Sequence, residues 1–323
     1  MAVRDSRTLY THDVAEAAAI LRRGGLVAFP TETVYGLGAD ARDAEAVAAV
    51  FAAQDRPADN PLIVHLADAD DAGAVAAPLG HDGARLAAAF WPGPLTLVAP
   101  LLGDGILPRV VTAGLSTVGL RVPARAVARA FLAACGVPVA APSANRSGRP
   151  SPTTWEAVRD DLDGRIDAVL MGAPCERGLE STVVDVSGSP PLVLRPGAIG
   201  TEALRAVVPG LRVAGTADAD VLRRSPGTRH RHYAPSARVV VLDAGAPLPP
   251  GLAAPVAWIG TGVAPAGAAR AIETLDADAY ARALYAAFRA FDAAGIATIA
   301  CARVPETGIG RALNDRIARA SER

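Results

Sequence analysis

Apolar residues recur along this chain with two different periods. Between Asp13 and Arg23 they fall at Val14, Ala17, Ala18 and Leu21, one face of a helix, and Gly24-Gly25 closes the run. LVAFP (26–30) is a continuous apolar run, which predicts a buried strand leading into a loop, TETVYGLG. Asp43 predicts the cap of a second helix whose apolar face is Val47, Val50 and Phe51. The same reading predicts strands over 61–66, 95–101, 117–122 and 138–142, and helices over 82–91 and 125–135. A helix capped near Thr153-Thr154 follows, then strands near 168–171, 182–186 and 191–195. Helices and short strands alternate without strict repetition, so the pattern predicts an α/β protein with a mixed sheet.

The pattern changes after about residue 206. Residues 209–237 are rich in Pro, Gly, Arg and His and show little periodicity, which predicts a basic linker. Val221 to Leu242 contains no acid, yet it holds Arg223, Arg224, Arg229, Arg231 and Arg238. Periodicity resumes with predicted strands at 238–243 and 255–260. A long helix carries Tyr280, Leu284, Phe288 and Phe291 on one face. A strand at 296–301 and a helix with Ile309, Leu313 and Ile317 complete a small parallel α/β unit. The expected units are therefore residues 1–208, a linker 209–237, and a C-terminal domain 238–323.

Composition narrows the chemistry. All 32 basic residues are Arg, against 33 acids, for a net charge of −1. Without lysine there is no Schiff base and no phosphate-loop lysine, and any bound anion must meet Arg, His, hydroxyls or backbone N–H groups. Arg can clamp a phosphate or carboxylate but cannot act as a tuned base. Residues 1–205 carry a net charge of −5, which argues against strong electrostatic binding of RNA there. Cys135, Cys175 and Cys301 are scattered and fit a reducing compartment. The N-terminal residues hold no apolar signal core, and Pro92, Pro94 and Pro100 break the longest uncharged stretch, so a cytoplasmic protein is expected.

Several clusters could carry chemistry. Thr31, Glu32, Thr33 and Tyr35 stand where a strand ends in a glycine-rich turn, the usual place for ligands in α/β sheets. Arg56 fits either a bidentate phosphate contact or a solvated helix end. His65 lies inside an apolar run, where a lone His is more often a satisfied core or edge residue than a functional one. Arg121 is a permanent cation within a strand and needs an anionic partner, from protein or ligand. Ser143, Asn145, Ser147 and Ser151 precede a helix start, a fair anion cradle. His230 and His232 flank Arg231, a poor setting for a metal dication. Tyr233 follows and could stack on a base.

Taken together, Phe29–Gly38, Arg56–His65, Trp91–Thr96, Thr117–Pro123, Ala140–Thr153, Glu180–Thr182, Leu194–Gly197 and His232–Pro235 resemble the threonylcarbamoyl-AMP synthase family. The likeness is to its long form, and PETGIGRALNDRIARAS near the C-terminus resembles the end of that form. It implies a YrdC-like twisted mixed sheet with flanking helices, a linker, and a smaller Rossmann-like parallel domain. It also implies condensation of L-threonine, bicarbonate and ATP, with Mg²⁺, into threonylcarbamoyl-AMP and pyrophosphate. The product would pass to a transferase that modifies a tRNA adenosine, and a weak direct contact with tRNA stays open. On this likeness Thr33, His65, Arg121, Ala141 and Ser181 surround threonine, with Arg121 pairing its carboxylate. Arg56, Asn60, Thr117, Ser143, Asn145, Ser151, Arg195 and Tyr233 hold ATP.

Two other readings accompany this one, an RNA-binding module of the same fold and a carbamoyl-adenylate enzyme of another pathway. The chain also departs from the family at one point. Where the family carries K-x-R, this sequence has Gln54-Asp55-Arg56. The lost cation implies weaker handling of phosphate, on the order of 1.5–3 kcal/mol. Gln54→Lys is accordingly expected to improve use of ATP and leave threonine affinity nearly unchanged.

Overall fold

The computed structural model describes residues 7–57, 59–215, 218–225 and 233–322. Arg229, Arg231 and the His230/His232 pair lie outside the described residues. Among the described residues, eleven strands form one mixed sheet. Its order is Leu9–Thr11, Ala168–Leu170, Val27–Pro30, Tyr35–Asp40, Val139–Ala141, Ile63–His65, Thr117–Arg121, Leu95–Pro100, Thr182–Asp185, Leu192–Arg195 and Arg212–Val213. The last of these strands lies within the stretch read as linker and pairs parallel to Leu192–Arg195.

Alternation along the strands divides the core. Val27 and Phe29 pack with the helices Val14–Arg22 and Ala126–Cys135 on one face, through Leu21, Phe131 and Leu132. Leu26 and Ala28 point to the other face, with Tyr35, Leu37 and Ala39. Asp13 caps the first helix by accepting from the N–H groups of Ala15 and Glu16. Asp43 does the same for Ala44–Gln54.

One segment differs from its sequence reading. TETVYGLG is not all loop, because Tyr35–Asp40 pairs antiparallel with Val27–Pro30. The glycines that suggested a loop lie on the crowded face of this strand. A Cβ on Gly38 would come within 2.8 Å of Val139 and 3.1 Å of Phe29. They are there so that two strands and an aromatic ring can approach closely.

The second sheet has the order Arg238–Leu242, Thr298–Ala302, Val256–Thr261, Arg270–Thr274, with every pair parallel. Its edge strand, Arg270–Thr274, has no run of apolar residues and is not legible from periodicity. The helix Ala277–Ala293 buries Tyr280, Leu284, Phe288 and Phe291, as their spacing predicts. No helix among the described residues is long and apolar enough to cross a membrane.

The two regions share a packed boundary. Val34, Leu179 and Tyr233 belong to the same apolar cluster as Tyr285, Phe288 and Leu313. Gly178 sits there with φ +76°, and a Cβ on it would meet the backbone of Ala281 and Arg282 at 2.4 Å. Asp161, a buried carboxylate of the first region, accepts from both Nη atoms of Arg289 at 3.0 and 2.8 Å and from Arg149 at 2.6 Å. Removing one partner of a buried ion pair strands the other charge. Asp161→Ala is expected to cost about 3 kcal/mol in urea denaturation. Asp160→Ala, which breaks only an exposed pair with Arg159, should cost less than about 0.5 kcal/mol. Equal costs would show that the boundary does not depend on this pair.

Candidate active site

The site forms where parallel strands present their carboxyl ends. Ile63–His65 and Thr117–Arg121 pair in parallel with His65 opposite Arg121, so both side chains arrive at one edge. Val139–Ala141 runs antiparallel beside them and brings Ala141 opposite Ile63. The bridge between Gly36 and Ser143 ties the following loop to the strand Tyr35–Asp40.

A cavity opens at this edge. Its lining includes Thr33, Arg56, His65, Arg121, Ala141, Ser143, Ser181, Arg195 and Tyr233 from the sequence-derived set. Thr31 and Glu180 line it as well. Asn60, Asn145 and Ser151 are buried nearby but do not line it. Thr117 starts the strand that Arg121 ends, about 13 Å away at strand rise, and pairs with Pro100. Thr117 does not itself line the cavity, but by strand register it lies two positions before Gly119, the partner of the cavity-lining Ile63.

Thr31 and Thr33 form a compact turn. The Thr31 hydroxyl donates to the Val34 carbonyl at 2.6 Å and lies 2.8 Å from the Thr33 hydroxyl. Tyr35 points elsewhere, exchanging hydrogen bonds with the backbone of Gly172. Arg121 is 4% exposed and already has a protein anion. It donates to Glu32 at 2.6 Å, to the Thr33 hydroxyl at 3.0 Å and to the Gly93 carbonyl at 3.3 Å. Glu32, whose role spacing did not reveal, therefore balances this cation, and a ligand carboxylate would use only the guanidinium N–H groups left over.

Ser181 and Thr96 share a hydrogen bond of 2.8 Å, and Arg195 donates to the Ser181 carbonyl at 3.0 Å. Burial lowers the Arg56 pKa to about 10, still well above neutrality. Burial and then Arg121 lower that of His65 to about 3, so its imidazole is neutral at physiological pH. Burial alone would raise the Glu180 carboxyl, but Arg316 and Arg195 more than offset it and hold its pKa low. Among the described residues the cavity thus has three permanent cations and one lining carboxylate, and no side chain poised as a general base near neutrality. This arrangement binds and orients anions.

Gln54 takes a different place from the one expected of a missing phosphate contact. It is 2% exposed and does not line the cavity. Its Nε2 donates to the carbonyls of Ser143 and Asn145. The amide therefore anchors the serine-rich loop by its backbone. Two residues of the C-terminal region, Tyr285 and Arg316, also reach the edge of the site, contacting Glu180 and Tyr233. Arg316 lies three residues beyond Leu313 on a helix, so its place on the inner face was readable from sequence.

Two outcomes follow. Gln54→Lys retains donors for both carbonyls and should change stability by less than about 1 kcal/mol. Gln54→Glu offers those carbonyls no donor and should cost about 2 kcal/mol or more, and equal denaturation midpoints would rule out the loop anchor. For His65, the unfolded imidazole binds a proton below about pH 6.5 while the folded one stays neutral to far lower pH. Stability is therefore lost on acidification, and from pH 7.5 to 5.5 the protein should lose about 1.4 kcal/mol more than His65→Gln does. Identical losses would show that His65 titrates normally.

Comparison with known proteins places this geometry in a family. Residues 19–197 match the Sua5/YciO/YrdC family model, described as "Telomere recombination". Residues 199–322 match the model described as "Threonylcarbamoyl-AMP synthase, C-terminal domain". The threonylcarbamoyl-AMP synthase of Bacillus subtilis is 39% identical over 332 residues, covering 99% of this chain and 96% of the relative. That of Pyrococcus abyssi is 40% identical over 317 residues, covering 94% and 93%. The crystal structure of Pyrococcus abyssi Sua5 complexed with L-threonine superposes with a TM-score of 0.86 at 36% identity, covering 98% of this chain and 97% of that one. With both regions matched and near-full-length relatives at about 40% identity, the chain belongs to the threonylcarbamoyl-AMP synthase family.

Proposed function

We propose that the protein condenses L-threonine, bicarbonate and ATP into threonylcarbamoyl-AMP, releasing pyrophosphate. The observation that carries this reading is the convergence of Arg56, Arg121 and Arg195 on one cavity, among whose described lining residues none is a tuned acid or base. Such a site suits a reaction that asks mainly for positioning and charge neutralisation. Threonine's amine and bicarbonate form a carbamate with loss of water, and a carbamate oxygen then attacks the α-phosphorus as pyrophosphate leaves.

In this reading the threonine carboxylate takes the remaining N–H groups of Arg121, beside Thr33 and Ser181. His65, neutral and packed edge-on against Phe29, with Ala141, shapes the side-chain subsite. Arg56, Ser143 and Arg195 face the phosphates, and Tyr233 covers the nucleotide. Asn60, Asn145, Ser151 and Gln54 support that end from behind. Mg²⁺ would enter with ATP and offset phosphate charge. The Asn145 Oδ1 is buried without a hydrogen-bond partner, but Asn145 lies outside the cavity lining, so the phosphates and water would hold such an ion. The product, a reactive mixed anhydride, requires a partner transferase that carries the threonylcarbamoyl group to tRNA.

The test is pyrophosphate release by the purified protein. It should need both L-threonine and bicarbonate, and Arg121→Lys should raise the threonine KM by about tenfold or more through loss of the planar fork. Release that proceeds equally fast without threonine would end this reading.

A further inference from the structure

The cavity is not completed by the first region alone. Arg316 comes from the last helix, Gly310–Ser321, and is 0% exposed. A guanidinium so buried must have its donors met. Its Nε donates to Glu180 Oε2 at 2.8 Å, its Nη2 to the Pro196 carbonyl at 3.0 Å, and its Nη1 to Asp315. Its plane also lies over the Tyr233 ring, 4.9 Å from the centroid. Tyr285, from the helix Ala277–Ala293, places its hydroxyl 3.1 Å from each Glu180 oxygen. Its ring stacks on Tyr233 at 5.7 Å with an interplanar angle of 23°.

Two cavity-lining residues are thus set from the C-terminal region. One is Tyr233, whose backbone is left-handed at φ 66°, a conformation that non-glycine residues keep only when their surroundings impose it. Its ring is held by Arg316 and Tyr285, and the next residue's N–H is tied to the Gly148 carbonyl at 2.9 Å. The other is Glu180. A carboxylate lining a site for a polyphosphate would repel it at short range. Here both oxygens are engaged, by Ser151 at 2.7 Å, by Tyr285 and by Arg316. The Arg316 cation lies directly behind the carboxylate, and neither Arg316 nor Tyr285 lines the cavity.

We propose that Arg316 and Tyr285 are positioning residues of the nucleotide subsite. They hold the Tyr233 ring over it and neutralise Glu180, so that the subsite accepts a triphosphate. The C-terminal region therefore acts as a component of the nucleotide site. This inference rests on the reading that the Arg56–Arg195 end of the cavity takes ATP.

The test uses the full chain. Arg316→Met should raise the KM for ATP by about tenfold or more, with threonine affinity by calorimetry within about twofold of the unchanged protein. Arg316→Lys restores a cation behind Glu180 and should recover much of that loss. Adding Glu180→Gln to Arg316→Met removes the exposed repulsion and should also recover about threefold or more, a non-additive pair. Tyr285→Phe keeps the stack and loses only the hydroxyl, so its effect on ATP should be smaller than that of Arg316→Met. Losses that multiply, or losses for threonine and ATP in equal proportion, would overturn the proposal.

A second readout needs no substrate. Hydrogen exchange of the backbone amides of Tyr233, Ala234, Ser236 and Ala237 should speed up about tenfold or more in Arg316→Met and Tyr285→Ala. Unchanged exchange overturns the positioning role whatever the activity shows. If the unchanged protein lacks threonine-dependent pyrophosphate release, the proposed function fails, and the exchange result still decides the positioning role.

Discussion

A guanidinium cannot shed its charge inside a protein, and in this chain every cation other than histidine and the N-terminus is a guanidinium. Each buried one must therefore meet a carboxylate, a set of carbonyls or a ligand. Arg121 meets Glu32, Arg289 meets Asp161, and Arg316 meets Glu180. These three pairings join the turn after the first long strand to the sheet, and the C-terminal region to the first. Glu180 is where the last of them touches the cavity, with Ser151, Tyr285 and Arg316 all directed at its two oxygens.

The same constraint shapes the chemistry. A site whose described residues are permanent cations with no titrating base among them is built for little proton transfer. Its contribution is to hold negative groups in place and offset their charge as it redistributes. Burial takes the nearest candidate base, His65, out of the working range by favouring its neutral form. What remains is a cavity lined by Arg56, Arg121 and Arg195, which under the proposed function would meet a carboxylate at one end and phosphates at the other. That fits adenylyl transfer to a carbamate formed from the substrates themselves.

Gln54 shows that a substitution has a structural role beside its change of charge. Beside the family pattern it reads as a lost cation. In three dimensions its amide nitrogen holds two carbonyls of the serine-rich loop, from a position outside the cavity lining. At that position the amide supplies donors to the loop backbone without adding charge.

The helices Val14–Arg22, Ala44–Gln54 and Ala277–Ala293 were legible in the sequence because caps and apolar periods are local properties. So were most central strands, and the ordered motifs sufficed for the family. The strand Tyr35–Asp40 was not, because its glycines answer to Phe29 and Val139 on neighbouring strands. Likewise, nothing local marks Glu32 as the partner of Arg121, 89 residues away, or Glu180 as that of Arg316, 136 residues away. The sequence by itself determined the capped helices and most central strands, which chemistry is excluded by the absence of lysine, and which residue types gather near the strand ends. Only the tertiary structure decided which carboxylate neutralises which arginine, because that depends on which side chains meet at short range in a low-dielectric interior.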